Sequence, residues 1–227
     1  CWGYNNHGQL GDGTTETRSS PVPVKGLAAA AAISAGEVHT CALLTSGAVA
    51  CWGWNGSGQL GDGTTAVKLA PVAVKGLTGA TAIAAGGYHT CALLADGTVA
   101  CWGYNESGQL GNGATASMTT PVAVDGLTGA LAIACGHDHS CALLADKQVT
   151  CWGSNSGQLG DGTTGNKTTP VLVKNLISAK ALVAGRTHTC ALLVAGTVAC
   201  WGQNQYGEIG DDTTEVKVVP TAVIVLP

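Results

Sequence analysis

Apolar and polar positions along this chain alternate in short bursts rather than with a helical period. From Thr81 the chain runs "TAIAAG", "HTCALLA", "TVACWGY", a polar loop "NESGQLGNGATASMTT" and then "PVAVDGL". Short apolar runs bounded by Gly, Asn or Asp are the pattern of buried and half-buried strands, and no window sustains a capped 3.6-residue period. The whole pattern recurs. "CWG" begins at Cys1, Cys51, Cys101, Cys151 and Cys200, a spacing of 50 residues that shortens to 49 where "CWGSNSGQLG" lacks one residue. A fixed period of this length with four strand-like stretches per unit predicts propeller blades.

The expected fold is therefore all-β, with blades of four antiparallel strands and about four and a half repeats of ~50 residues, a ring that this chain does not close alone. Residues 1–27 read as the last two strands of a preceding repeat, a half blade. Blades follow at 28–77, 78–127 and 128–176, and 177–227 is a blade with an apolar C-terminal strand. A blade cannot bury both faces by itself, so Trp2, Trp52, Trp102, Trp152 and Trp201 are expected to pack against neighbouring blades.

The turns also order the cysteines. If "ADG" at 95–97 is a three-residue hairpin turn with Gly left-handed, Leu94 faces Thr98, Leu93 faces Val99 and Cys91 faces Cys101. Facing residues of a non-hydrogen-bonded antiparallel pair have Cα atoms roughly 4.5 Å apart, within disulfide range. The same arithmetic pairs Cys41 with Cys51, Cys141 with Cys151 and Cys190 with Cys200. Such bridges favour an oxidising, extracellular setting. Cys1 looks like half of a pair whose partner precedes it, a candidate inter-chain cysteine, and Cys135 stands where other repeats have Ala.

Composition narrows the function classes. The chain has 227 residues, 34 of them Gly, with 11% charged residues and a net charge of −4. There is no basic field for nucleic acid and no apolar run long enough for a membrane span, so neither partner is expected. No C-x-x-C occurs, no Ser-His-Asp or Cys-His arrangement leaves the repeat background, and the Gly-rich "GQLGDGTT" lacks the Lys of a phosphate loop. Neither catalysis, nor a cofactor, nor a metal is expected. The recurrent His39, His89, His139 and His188 are read as serving the blade, by hydrogen bonds to backbone where strands turn, and Asp12, Asp62, Asn112, Asp161 and Asp211 as Asx turns.

"AISAGEVHTCALL" at 32–44 followed by "VACWGWNGSGQLGDGTT" at 49–65 resembles the blade signature of the regulator-of-chromosome-condensation propeller family. The resemblance runs through the entire chain. It implies seven-bladed propellers of four-stranded blades, and the Cys-bearing version resembles secreted bacterial members. Functions in that family range from nucleotide exchange on a small GTPase to light reception, ubiquitin-ligase modules and inhibition of a secreted enzyme, so the fold alone does not choose among them. Scarce extra Trp argues against light reception, and the cysteines and charge argue against an exchange factor.

Positions where repeats disagree are where a partner could be read. Between Ala-Gly and His stand Glu37-Val38, Gly87-Tyr88, His137-Asp138 and Arg186-Thr187, expected on one face as a candidate interface. A second variable set follows Trp-Gly: Tyr4, Trp54, Tyr104, Ser154 and Gln203. Asn55, Asn105 and Asn166 match the N-glycosylation pattern. At the C-terminus Lys-Gly becomes Ile224-Val225, and Val223, Ile224, Val225 and Leu226 form a candidate assembly strand. The reading is an extracellular, non-catalytic repeat protein acting by protein–protein contact. It is favoured as a self-associating structural subunit, with an adhesive or inhibitory module cut from a longer propeller as the alternative. Its partners are expected to be other copies of itself or another extracellular protein.

Overall fold

The computed structural model describes residues 1–224, among which there are sixteen strands in four sheets and no helix. The first sheet holds β1 (Ala30–Ala35), β2 (His39–Leu44), β3 (Val49–Gly53) and β4 (Lys68–Ala73). The second holds β5 (Ala80–Ala85), β6 (His89–Leu94), β7 (Val99–Gly103) and β8 (Met118–Ala123). The third holds β9 (Ala130–Cys135), β10 (His139–Leu144), β11 (Val149–Gly153) and β12 (Lys167–Leu172). The fourth holds β13 (Ala179–Ala184), β14 (His188–Leu193), β15 (Val198–Gly202) and β16 (Lys217–Ala222). Each sheet is an antiparallel meander in chain order, and the first strands β1, β5, β9 and β13 neighbour one another in turn, so they form the inner rim. Among the described residues β13 does not neighbour β1 as the successive first strands neighbour one another, and the four blades leave the ring open.

Local chemistry accounts for the blade. In the hairpin between β6 and β7, Leu94 N donates to Thr98 O and Gly97 N to Leu94 O, with Gly97 at φ +79°. Glycine takes this left-handed conformation without a Cβ clash. The turn sets the register, placing Leu93 opposite Val99 and Cys91 opposite Cys101. Disulfides join Cys41–Cys51, Cys91–Cys101, Cys141–Cys151 and Cys190–Cys200 across Cα separations of 4.0–4.1 Å. The outermost strands carry Pro71, Pro121, Pro170 and Pro220. A residue without an N–H is tolerated there because nothing pairs with the outer edge.

The core lies between blades rather than within them. Cys41, Leu43, Val49, Cys51, Leu60, Val74 and Leu77 of the first blade pack on Ala80, Ala92, Ala100 and Trp102 of the second. Each interface thus sets a Leu/Val face with its disulfide against an Ala/Trp face. Among the described residues no blade covers the fourth blade's Leu/Val face. Leu192 is accordingly 36% exposed, whereas Leu43, Leu93 and Leu143 are each 6% exposed.

The two ends depart from expectation. Trp52, Trp102, Trp152 and Trp201 are fully buried, but Trp2 is 67% exposed. Each buried Trp lies beneath the Gly-Gln-Leu-Gly loop of the repeat before it, and among the described residues no such loop lies over Trp2. Residues 1–27 keep the pairing of a blade's last two strands over a short stretch: Gly3 bridges Arg18, and Cys1 and Val22 exchange two backbone hydrogen bonds. These pairs sit where Gly53 pairs with Lys68 and Cys51 with Val72 in the next repeat. At the other end β16 stops at Ala222, and Ile224 N turns away to Gly210 O as Lys75 N does to Gly61 O. Val223 N still donates to Val198 O of β15, as Val74 N does to Val49 O, Ile224 leaves that pairing, and Val225 and Leu226 lie outside the described residues.

Candidate functional site

The recurrent residues first resolve into structure. His39 Nε2 lies 2.9 Å from Thr90 Oγ1, His89 Nε2 lies 2.8 Å from Ser140 Oγ, and His139 Nε2 lies 2.9 Å from Thr189 Oγ1. Each hydroxyl donates in turn to a backbone oxygen, of Gln59, Gln109 and Gln158 respectively. A hydroxyl that donates its hydrogen can only accept from the imidazole, so Nε2 carries the proton. The same three oxygens accept the indole N–H of Trp102, Trp152 and Trp201 at 2.9 Å. Each blade is thus hydrogen-bonded to the next through side-chain hydroxyls, not to backbone at strand turns as the sequence suggested. Recurrence of a hydroxyl residue directly after each His was the signal for it.

Burial pushes these imidazoles toward neutrality. His39 is lowered to about 4, and His89 and His139 to about 3, by loss of solvation, with other histidines near His89 adding to the effect. Their Nδ1 atoms are buried without a hydrogen-bond partner. A protonated imidazole would bury a charge and an unpaired donor together.

The polar loops are self-contained. Asn55 Nδ2 donates to Asp62 Oδ1, Thr64 O and Ala66 O, and Asn55 Oδ1 accepts from Leu60 N. Asp62 accepts from the backbone and hydroxyl of Thr64 and pairs with Lys68 Nζ at 3.3 Å, the Asx-turn role. Asn55 and Asn105 are fully buried with their amide nitrogens engaged, which takes both glycosylation matches out of reach in the folded protein. Asn166 is exposed.

What remains is the face of variable loops. Trp54 N donates to Val38 O, Tyr104 N to Tyr88 O, Ser154 N to Asp138 O and Gln203 N to Thr187 O. These bonds lay the two variable sets side by side in every blade, a union that the linear order of residues does not show. His137 ties the blades together here. Its Nε2 meets Glu37 Oε2 and its Nδ1 meets Asp138 Oδ2, both at 2.7 Å, while Gly87 N donates to His137 O and His137 N to Arg186 O. The Tyr88 ring stands edge-on to His137 at 5.6 Å and to Tyr104 at 6.5 Å.

Two concavities result. Trp54, Ser57, Tyr88, Tyr104, His137 and Asp138 line a hollow of about 310 Å³. Beside it, a depression of about 340 Å³ opens over the axis among the Ala-Gly turns of three blades and the Cys135-Gly136 turn of the third, with Glu37, His137 and Arg186 at its rim. Tyr104 is raised to about 12 by the hydrogen bond its hydroxyl donates to Glu106 at 2.8 Å. The aromatic arc continues through Trp54 to His7, 4.9 Å away, a residue that nothing in its repeat position singles out. Of the interface candidates expected from the sequence, Glu37, Tyr88, His137 and Asp138 share this cluster, Val38 borders Trp54 and His7, Gly87 and Arg186 line the axial depression, and Thr187 contributes its carbonyl to Gln203.

Two models of one family match the chain, each described as the regulator of chromosome condensation (RCC1) repeat. One matches residues 30–59, 80–109, 131–158 and 179–208, the other 1–43, 46–93, 96–143 and 147–192. No curated protein matches the sequence. Among solved structures the chain is similar to human WBSCR16, 23% identical with a TM-score of 0.85, over 97% of this chain and 61% of that one. It is similar to Prp20p from Saccharomyces cerevisiae, studied with its binding to Gsp1p and histones, at 22% identity and a TM-score of 0.82, over 94% and 55% of the two chains. A third likeness, to the ectodomain of the receptor kinase CR4 from Physcomitrella patens, has 29% identity and a TM-score of 0.55 over 83% and 44%. The chain spans only part of each of these proteins. Repeat matches from end to end, four-stranded blades and the propeller likeness agree: this chain belongs to the regulator of chromosome condensation (RCC1) repeat family, whose propellers are scaffolds for protein–protein contact.

Proposed function

We propose that this chain is a non-catalytic extracellular binding module whose aromatic loop face takes up a cationic segment of another protein. One observation carries the reading: the rings of Trp54, Tyr88 and Tyr104 and the carboxylate of Asp138 converge on one hollow, with Glu37 and Glu106 beside it. Rings with nearby carboxylates suit Arg or Lys, through cation–π contact and charge pairing, and Trp and Tyr are frequent interface anchors. The net charge of −4 adds a favourable field. Four disulfides support an oxidising compartment, and the plant receptor ectodomain offers an extracellular relative of this blade type.

The probe is a pair of short peptides, one Arg-rich and one Glu-rich, titrated against the protein by calorimetry at low and high salt. Salt-sensitive binding of the Arg-rich peptide, lost in Trp54→Ala and weakened in Asp138→Asn, is expected. Equal uptake of both peptides, or binding indifferent to Trp54→Ala, would sink the reading.

A second reading has its own observation. The fourth blade exposes the Leu/Val face that a following repeat covers elsewhere, with Leu192, Val198 and Val183 around an apolar hollow of about 140 Å³, while Trp2 is bare at the other end. The covered copies show what fits such a face, a further repeat. Association between the fourth blade of one copy and the N-terminal repeat of another would raise the mass seen by light scattering, and Leu192→Asp would return it to 22.5 kDa.

A further inference from the structure

Cys135 departs from its repeat in company. At the equivalent positions β1, β5 and β13 carry Ala35, Ala85 and Ala184. Its cross-strand partner Ser140 departs too, since Thr40, Thr90 and Thr189 hold that place in the other blades. The two changes are complementary in volume: a sulfur is added on β9 and a methyl is removed on the facing residue of β10. Ser140 Oγ then lies 3.8 Å from Cys135 Sγ and 3.7 Å from Cys91 Sγ, while still holding His89 Nε2. A nitrogen of His89, Cys91 Sγ and Cys135 Sγ all fall within 4.8 Å of one another. A free thiol of the third blade therefore faces a bonded sulfur of the second.

We infer that Cys135 is a resident nucleophile for the Cys91–Cys101 disulfide, able to move that bridge from within the second blade to a link between the second and third blades. Cys135 Sγ attacks Cys91 Sγ, the Cys91–Cys101 bond breaks, a Cys91–Cys135 bond forms and Cys101 leaves as the thiolate. The proton given up by Cys135 ends on Cys101, and no oxidant or reductant is consumed. Reaching the roughly 2.05 Å of a disulfide from within 4.8 Å requires side-chain rotation and a small approach of β9 to β6. The new bridge would close a much longer loop and tie two blades covalently, so it constrains the unfolded chain more.

The resting form is protected. Burial pushes the Cys135 thiol up to about 12, so little thiolate exists at neutral pH. The titratable groups around it are His89 on β6 and, across the axial depression that Cys135 also lines, Glu37, His137 and Arg186. Exchange should quicken about tenfold per pH unit on the alkaline side, following the thiolate fraction.

The test is made in a Cys1→Ser chain, which leaves Cys135 as the one free thiol among the described residues. The folded protein is held at pH 7 to 10, quenched in acid, then unfolded and alkylated with N-ethylmaleimide without reduction. Cleavage before Asp62, Asp96, Asp125 and Asp138 puts Cys91, Cys101 and Cys135 on separate fragments, 62–95, 96–124 and 125–137. Expected is a pH-dependent transfer of the alkyl label from Cys135 to Cys101, with 62–95 linked to 125–137. Ser140→Thr should slow the transfer, and Cys135→Ala should leave Cys91–Cys101 intact at every pH. Label confined to Cys135 after prolonged incubation at pH 10, or a link from 125–137 to any fragment other than 62–95, would overturn the inference.

Discussion

Mild acid should unfold this protein through its inter-blade histidines. His39, His89 and His139 are held neutral at about 4, 3 and 3 by burial, against about 6.5 in the unfolded chain. A depressed folded value means that the unfolded state binds more protons in acid. The stability is therefore complete above pH ~6.5 and is lost as pH falls through the window down to ~4 and ~3. At pH 5 each imidazole costs about 2 kcal/mol relative to pH 8, about 6 kcal/mol together, with a slope approaching about 4 kcal/mol per pH unit. That is comparable with the whole stability of a typical domain. Asp12, lowered to about 2 by the Thr14 hydroxyl, and Asp211, lowered to about 2 by Lys217, act in the same direction but only below the usual carboxylate range. The two windows can be separated. Urea unfolding followed by Trp fluorescence at pH 8, 6 and 5, without reductant, measures the loss, and His89→Gln removes one titrating ring while retaining an N–H for Ser140. That variant should lose about one third less stability between pH 8 and 5. A fall of under about 2 kcal/mol in the parent chain, or an unchanged fall in His89→Gln, would refute the reasoning.

Further tests probe the blade itself. Trp152→Ala, which empties a fully buried site and frees the Gln109 carbonyl of one donor, should cost about 3–5 kcal/mol in urea titration, while Trp2→Ala, at 67% exposed, should cost almost nothing. Lys147 occupies the hairpin position held by Gly47, Gly97 and Gly196, at φ +68°, so Lys147→Gly should raise the melting temperature by relieving up to about 1 kcal/mol of left-handed strain.

The blade was legible in the sequence because its information is local. Hairpin turns fix register residue by residue, so Cys91 opposite Cys101 follows from counting back and forth across Gly97. Alternation of apolar runs with Gly-rich loops named the strands, and the 50-residue period named the blades. Even the variable positions could be identified, since they stand out wherever copies of one unit disagree.

What needed the tertiary structure were relations between blades, where residues about 50 apart meet and no local rule specifies the pairing. His39 with Thr90, and Cys135 with Cys91, belong to strands of different sheets, joined only by the rotation from one blade to the next. The aromatic hollow likewise forms because Trp54, Tyr88 and His137 come from three successive blades whose loops emerge on one face. The ends show the same division from the other side: Trp2 has the sequence of a core residue and is exposed, because burial is conferred by a neighbouring repeat and not by the residue itself.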